Sequence, residues 1–444
     1  MFSANDLLES LRSLAPPSIR GFAIALSGGA DSCALMAAMI QLRPTLSGYG
    51  LRAIHVNHGL QPAAPEFVAR CEVLCDRFML PLIVVNPVIR LTPGRSVEEV
   101  AREARYAALG QELRSGECLI TAHHEQDQAE TFLLQALRGA GVKGLSAMPG
   151  RRPLGVGWHL RPLLHVKRAE LRAFGSAMHV LELRDSMNED LRFDRSYLRH
   201  AIWPTLESRW PAAAAVLCRS AAHLAQAAHV LAASVCRDLV AARDGNALSI
   251  PLMRRLAPQR QLEVLRAFAE EAGIRPPASP KLHEALRQML QAGVDRMPAI
   301  FWSEHALRRY RDRMYLTPAN IEPLVPRDWD FRADAVCELG TGLGHLAVRA
   351  QAGGLDPARL PAVLQIRPRR GGETIKQDPH APTRSVRHLC QGRGIVPWMR
   401  DSIPFLHADN MLVAVADLWS DARFRCGSAQ AGVAFVWESA PPIL

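Results

Sequence analysis

Ser27-Gly28-Gly29-Ala30-Asp31-Ser32 stands between an apolar run, Phe22 to Leu26, and a helix-compatible run, Cys33 to Gln41. A strand, a glycine turn and a helix start in that order constrain the fold more than any other feature of the chain. The first N–H groups of a helix have no partner within it and point outward with the positive end of its dipole, and glycines let a ligand come close to the backbone. The arrangement is a phosphate cradle. It is not a Walker A loop, because no Gly-Lys-Ser/Thr closes it.

The first 150 residues continue the alternation. Strand-like runs occupy Phe22 to Leu26, Leu51 to Val56, Pro81 to Val85 and Cys118 to Thr121, with helical segments near Asp31 to Gln41, Ala64 to Leu80 and Ser96 to Arg114. This order predicts a doubly wound parallel sheet, an α/β fold whose ligands lie at the carboxyl ends of the strands. The residues following those ends are the cradle, then His55-Val56-Asn57-His58-Gly59-Leu60, then Thr121-Ala122-His123-His124. Counted at 100° per residue, Glu98, Arg102, Arg105 and Tyr106 share one helix face opposite Val97, Val100, Ala101, Ala104, Ala107 and Ala108. Arg102 and Arg105 either address a ligand together or form a solvated face with a Glu98 to Arg102 pair. In the following helix Asp127, Glu130 and Thr131 lie opposite Phe132, Leu133 and Ala136. Two carboxylates one turn apart suit Mg²⁺ or an ammonium group. The paired histidines have neither an HExxH pattern nor a cysteine nearby, so they are not read as zinc ligands.

Length and composition add bounds. With 444 residues, 48% of them hydrophobic, the chain can bury two or three cores. No uninterrupted apolar stretch reaches the roughly 18 residues of a membrane span, and a secretory leader pattern is not present, so a soluble cytoplasmic protein without a membrane partner is expected. The nine cysteines are scattered and contain no CxxC, which favours reduced thiols over a disulfide framework or a zinc ribbon. A net charge of +10 suits a polyanionic partner. The stretch from Pro204 to about Gly273 is rich in Ala and Leu with helical spacing, Pro276 to Pro280 interrupts it, and residues 350 to 444 mix short strand-like runs with turns. We expect three parts: 1–215 as a nucleotide-binding catalytic domain, 216–330 as a helical substrate-binding domain, and 350–444 as a small α+β domain. Between Arg367 and Arg400 eight Lys or Arg stand against two acids, together with Trp398. That cluster is either a phosphate and base contact or a solvated basic surface.

The residues also carry a family resemblance. SGGADS has the SGGxDS form of PP-loop pyrophosphatases, and HVNHGL, Ala101 to Tyr106, Thr121-Ala122-His123-His124-Glu125-Gln126-Asp127-Gln128-Ala129-Glu130-Thr131 and Leu137-Arg138-Gly139 resemble the tRNA(Ile)-lysidine synthetase (TilS) family. Arg161 to Leu164, Asp185 to Asn188, Arg195 to Arg199, Trp203-Pro204, Arg367 to Glu373 and Val396 to Asp401 follow the same order. Gln126, Ser196 and Gln61 depart from the family pattern. The resemblance implies a ligase that adenylates the wobble cytidine of a CAU-anticodon tRNA(Ile) with ATP and Mg²⁺, then replaces the activated oxygen with L-lysine to give lysidine, AMP and pyrophosphate. A homodimer is one open option for its assembly. It implies that Ser27, Gly28, Gly29, Ala30, Asp31, Ser32, His55 and His58 hold the nucleotide, with Asp31 on the metal. Asp127 and Glu130 would orient the amine or accept its proton, and Arg102 and Arg105 would assist the chemistry. His123, His124, Arg195, Arg199, Arg369, Arg370, Trp398 and Arg400 would meet the tRNA or lysine. A tRNA 2-thiolase and an inactive tRNA-binding PP-loop protein are the alternatives.

Overall fold

The computed structural model describes residues 1–57, 64–89, 97–180, 191–293, 296–441 and 443. Contacts divide the chain into two compact units, Met1–Ala232 and Ala233–Leu444.

The first unit opens with α1 (Ala4–Leu14), started by a Ser3/Asp6 capping box. It continues through β1 (Gly21–Ala25), α2 (Ala30–Gln41), β2 (Gly50–Val56), α3 (Ala64–Arg77), β3 (Leu82–Val85), α4 (Val97–Glu112), β4 (Glu117–Ile120), α5 (Glu125–Leu137), α6 (Val142–Leu145), β5 (Arg151–Leu154), β6 (Gly157–Leu160) and α7 (Arg168–Ala177). The six strands form one sheet in the order β3-β2-β1-β4-β6-β5. All neighbours run parallel except β5 and β6, which form an antiparallel hairpin at one edge. The expected strands and helices are present with ends shifted by one to three residues. The hairpin is an addition, because Arg-Arg-Pro-Leu and Gly-Trp-His-Leu are too short, and the first too polar, to stand out as strands.

Alternate side chains of β1 feed different layers. Phe22 and Ile24 join α1, α2, α3 and α7 in one core, while Ala23 shares a cluster with Tyr106 and Leu109 of α4 and with Leu113 just after it on the other face. Helix α2 is enclosed nearly all round, with every residue from Ser32 to Met39 buried. It packs so closely on α7 that a Cβ on Gly175 would lie 3.2 Å from Ala34 Cβ. A further close approach fixes the hairpin: Gly155, at φ +54°, sits where a Cβ would lie 2.1 Å from Gly110 O of α4. After α7 come α8 (Asp194–Tyr197), a π-helical turn over Leu198–Ile202, α9 (Trp203–Arg209) and α10 (Ala213–Ala242). Among the described residues α10 alone is long and apolar enough to cross a membrane by length and composition. Arg219 and the Arg237-Asp238 pair flank its uncharged middle, and Asp238 is paired with Arg260 through a 2.7 Å Nε–Oδ2 hydrogen bond.

The second unit holds the helices Ile250–Arg254, Pro258–Glu271 and Ser279–Gln291 beside a five-stranded antiparallel sheet that includes Ala299–Trp302, His305–Tyr310 and Arg313–Pro318. The sheet adds strands to the helices expected there. Further on, a second five-stranded antiparallel sheet, a three-stranded sheet and the helix Val386–Arg393 build the α+β part around Trp329, Phe405 and Phe435.

Candidate active site

The cradle lies between β1 and α2. Gly28 adopts φ +82°, and a Cβ there would lie 3.1 Å from Phe67 Cδ1 of α3. Only glycine takes this bend without strain. Gly29 is the N-cap of α2 and supplies no side chain to it, so the N–H groups of the first turn remain for an anion. The two serines shape this loop. Ser32 Oγ donates to Gly29 O at 2.9 Å and accepts from Ser27 N at 3.2 Å, and Gly29 N donates to Ser27 Oγ at 3.4 Å. Ser32 is buried beneath the loop and Ser27 is exposed.

His55 is also held within the scaffold. It is 4% exposed and its Nδ1–H donates to Leu26 O at 2.8 Å, with Cys71 Sγ 3.4 Å away. Burial lowers its basicity against the Leu26 hydrogen bond, which holds the ring neutral. His55 thus fastens the end of β2 to the strand that feeds the cradle. His58 lies outside the described residues, as do Gln61 and Asp185 to Asn188.

Asp31, in the first turn of α2, is the junction of the site. His124 is the N-cap of α5: its Nδ1 accepts from Asp127 N at 3.4 Å, while Asp127 Oδ2 accepts from His124 N at 3.1 Å. The other ring nitrogen, Nε2, lies 3.6 Å from Asp31 Oδ2 and 3.5 Å from Asp127 Oδ2. One buried ring connects the two carboxylates. Burial alone would raise the Asp31 carboxyl; the hydrogen bond and field of His124, with the Arg168 guanidinium, outweigh it and hold the group below its ordinary value. Asp31 Oδ1 is buried without a hydrogen-bond partner. An orphaned carboxylate oxygen beside a phosphate cradle fits Mg²⁺, which binds through one or two carboxylates plus substrate phosphates. No group of three or more His, Cys, Asp or Glu capable of holding a metal occurs among the described residues, consistent with so sparse a ligand set. Arg168, at the start of α7, belongs to the site although no motif in the sequence marks it.

Asp127 and Glu130 do not line an open acidic face. Arg195 Nε donates to Glu130 Oε2 at 3.0 Å and its Nη2 to Asp127 Oδ1 at 3.2 Å. Arg199 Nε donates to Glu130 Oε1 at 2.8 Å and its Nη2 to Asp127 Oδ1 at 3.0 Å. The Glu130 side chain is fully buried and that of Asp127 only 13% exposed. Two acids and two arginines close on one another, so Glu130 is a buried anchor, correcting its expected place opposite the core. The wide turn at Leu198–Ile202 carries Arg199 onto the same face of α5 as Arg195. Burial opposes ionisation of Asp127, yet the fields of His124 and Arg195, then His123 and Arg199, hold its carboxyl far below the ordinary range. Such a group orients a cation well and accepts a proton poorly.

The remaining expected residues divide by burial. Arg102 and Arg105 are half-buried against the ring of Tyr106, which belongs to the core and not to a solvated face, whereas Ala107 is exposed. His123 Nδ1 pairs with Thr121 Oγ1 at 2.7 Å. In the second unit Arg370 is exposed and Arg369 pairs with Asp401 at 2.6 Å near the surface. Arg400 is only 7% exposed; its Nη2 donates to Ile395 O at 2.8 Å and to Tyr310 Oη at 3.2 Å. Its guanidinium is held inside the unit. Trp398 is half-buried, edge-on to Tyr310 and Tyr315 at centroid distances of 6.4 and 5.5 Å.

Comparison with known proteins agrees with this layout. Residues 4–206 match the PP-loop domain family model, 248–315 the TilS substrate binding domain and 364–437 the TilS substrate C-terminal domain. The tRNA(Ile)-lysidine synthase of Alkalilimnicola ehrlichii is 37% identical over 99% of this chain and 98% of its own length. That of Coxiella burnetii is 38% identical over 94% of this chain and 92% of its own. Among solved structures, the U34-tRNA thiolase NcsA from Methanococcus maripaludis with its [4Fe-4S] cluster covers 50% of this chain and 77% of its own, at 17% identity and a TM-score of 0.42. With near-complete coverage at this identity, and a glycine cradle, Asp31 and the Asp127 cluster beyond the carboxyl ends of the adjacent strands β1 and β4, the chain belongs to the tRNA(Ile)-lysidine synthase family.

Proposed function

We propose that the chain adenylates the wobble cytidine of a CAU-anticodon tRNA(Ile) and then joins lysine to its C2. In the first step cytosine O2 attacks the α-phosphorus of ATP, and the bond to pyrophosphate breaks. In the second, the neutral ε-amine of lysine attacks C2, the C2–O bond breaks with its electron pair leaving on AMP, and the amine gives up a proton. The observation that carries this reading is the His124 bridge, which puts the cradle's Asp31 and the Asp127 cluster in one constellation. Backbone N–H groups of Ala30 to Ser32 suit the phosphates, with Asp31 and Arg168 beside them. Mg²⁺, held by Asp31, would supply electrostatic stabilisation of the phosphate oxygens. Asp127, kept ionised, orients the lysine amine with Arg195 and Arg199 around it. Arg369 and Arg370 suit the tRNA backbone. ATP, tRNA and a reducing environment for nine free cysteines fit a cytoplasmic enzyme.

A sulfur-inserting thiolase is disfavoured by the same thiols. Burial pushes Cys71 and Cys75 up to about 12, so neither is a ready nucleophile. Mass spectrometry of the wobble nucleoside after incubation with tRNA, ATP and lysine tests the proposal. The expected product is cytidine carrying one lysine; unmodified or thiolated cytidine would overturn it.

A further inference from the structure

One flank of the crevice carries charge that the fold does not balance. Beyond the carboxyl ends of β4 and β6, Arg102 and Arg105 of α4, Arg152 of β5 and Arg161 just after β6 surround Tyr106. The Cζ atoms of Arg152, Arg102 and Arg105 lie 4.7, 5.4 and 5.4 Å from its ring centroid. Arg161 is 3% exposed; its Nη1 donates to Pro149 O at 2.7 Å and its Nη2 to His159 Nδ1 at 3.2 Å, and its buried Nε has no partner. Arg152 Nε donates to the same His159 nitrogen at 3.3 Å.

The histidines do not alter this balance. A ring nitrogen accepting from two guanidinium groups carries no proton, so His159 is neutral. Its Nε2–H donates to Thr121 Oγ1 at 2.9 Å, and the Thr121 hydroxyl donates onward to His123 Nδ1. Burial, reinforced by Arg161, drives His159 down to about 2, and burial takes His123 in the same direction. Burial would raise the Tyr106 phenol, but Arg105, Arg102, Arg161 and Arg152 together hold it below its ordinary value. Among the described residues none of these four arginines forms an ion pair with a carboxylate, whereas Arg195 and Arg199 are matched by Asp127 and Glu130.

We propose that Arg102, Arg105, Arg152 and Arg161, walled by Tyr106, form a phosphate oxyanion site that takes a backbone phosphodiester of the RNA next to the reacting base. Guanidinium forks match phosphate oxygens in pairs, and a cluster of four suits phosphate better than a single carboxylate. The ATP phosphates have their own seat at α2, beyond His124. This inference rests on the lysidine-synthase reading and adds Arg152, Arg161 and Tyr106 to the site. Pyrophosphate leaving the first step offers the same chemistry, and the test separates the two sources.

In the full-length protein, Arg152→Gln and Arg161→Gln are compared with wild type for tRNA affinity against salt, for inhibition by added pyrophosphate, and for melting with and without inorganic phosphate. For Arg152→Gln the slope of log affinity against log salt should fall by about 0.7 to 1, with ATP affinity unchanged. Phosphate should raise the wild-type melting temperature more than that of the variant. A weaker pyrophosphate inhibition with an unchanged tRNA slope would keep the oxyanion site and assign it to the leaving group. Unchanged slope, inhibition and phosphate response in Arg152→Gln would overturn the site, whether or not Arg161→Gln folds. Lysidine formation by wild type reports separately on the underlying reading: its absence, with Arg152-dependent tRNA binding intact, would sink the reaction and leave the site.

Discussion

A single imidazole decides how the two halves of the site communicate. Because Nε2 of His124 lies between Asp31 and Asp127 while Nδ1 caps α5, changing either acid alters the environment of the other. Asp31→Ala should slow AMP formation by about 10³-fold, the rate equivalent of several kcal/mol of lost metal-held charge stabilisation, while tRNA affinity stays near wild type. Wild-type AMP release from this variant would remove Asp31 from the metal. Glu130→Gln is expected to act differently, because it leaves Arg195 and Arg199 facing a neutral group inside the fold. Breaking a buried pair costs about 3–5 kcal/mol, so this variant should melt well below wild type. An unshifted melting curve would show that Glu130 anchors nothing. The pH dependence of Asp127 has a definite sign. Its folded-state carboxyl lies below the ordinary 3.8, so its stabilisation is fully present above that value and is lost as pH falls through the folded one. Wild type and Asp127→Asn should therefore differ most near neutrality and converge in acid below about pH 3.8, as denaturant titrations at stepped pH would read.

At the scale of elements, the central strands are tied by a buried bidentate pair: Arg52 Nε and Nη2 of β2 donate to the Glu117 carboxylate of β4 at 2.7 and 2.6 Å. The pair crosses β1 on the face where Gly21 and Ala23 leave room, since Ala23 is in register with Arg52 and Gly21 with Glu117. Arg52→Met alone should cost about 3–5 kcal/mol by stranding Glu117, while Arg52→Met with Glu117→Leu should recover most of it. Equal melting of the single and double variants would argue that the charge was never the issue. The strand and helix pattern of this sheet is legible in the sequence because apolar runs and glycine turns are local signals. The partners of Asp127 and Glu130 are not, since Arg195 and Arg199 lie 65 to 72 residues away and only the α8 and π-turn geometry brings them in. The hairpin carrying Arg152 is equally hidden, its two strands being only four residues each. Equally illegible is the burial of His55 and Arg400: as residue types they suit ligands, and only the fold shows both with partners inside it.

Across the whole molecule, the basic C-terminal cluster divides into surface and interior. Reversing Arg369 and Arg370 together to Glu should weaken tRNA binding and flatten its salt dependence by about two contacts' worth of slope, without altering ATP affinity. Arg400→Glu should instead unfold the second unit, because its guanidinium is buried on Ile395 O and Tyr310 Oη. Parallel salt plots for the first variant would make the cluster a solvated surface. The enclosure of α2 has a consequence for amide exchange. Its first-turn amides lack helical partners, while those from Cys33 onward sit in residues buried through Met39. In deuterated solvent one short helix should therefore show a step, with open exchange at Ala30 to Ser32 directly before amides released only by global unfolding. Nucleotide binding should erase that step from the fast side, making three neighbouring amides a built-in reporter of cradle occupancy.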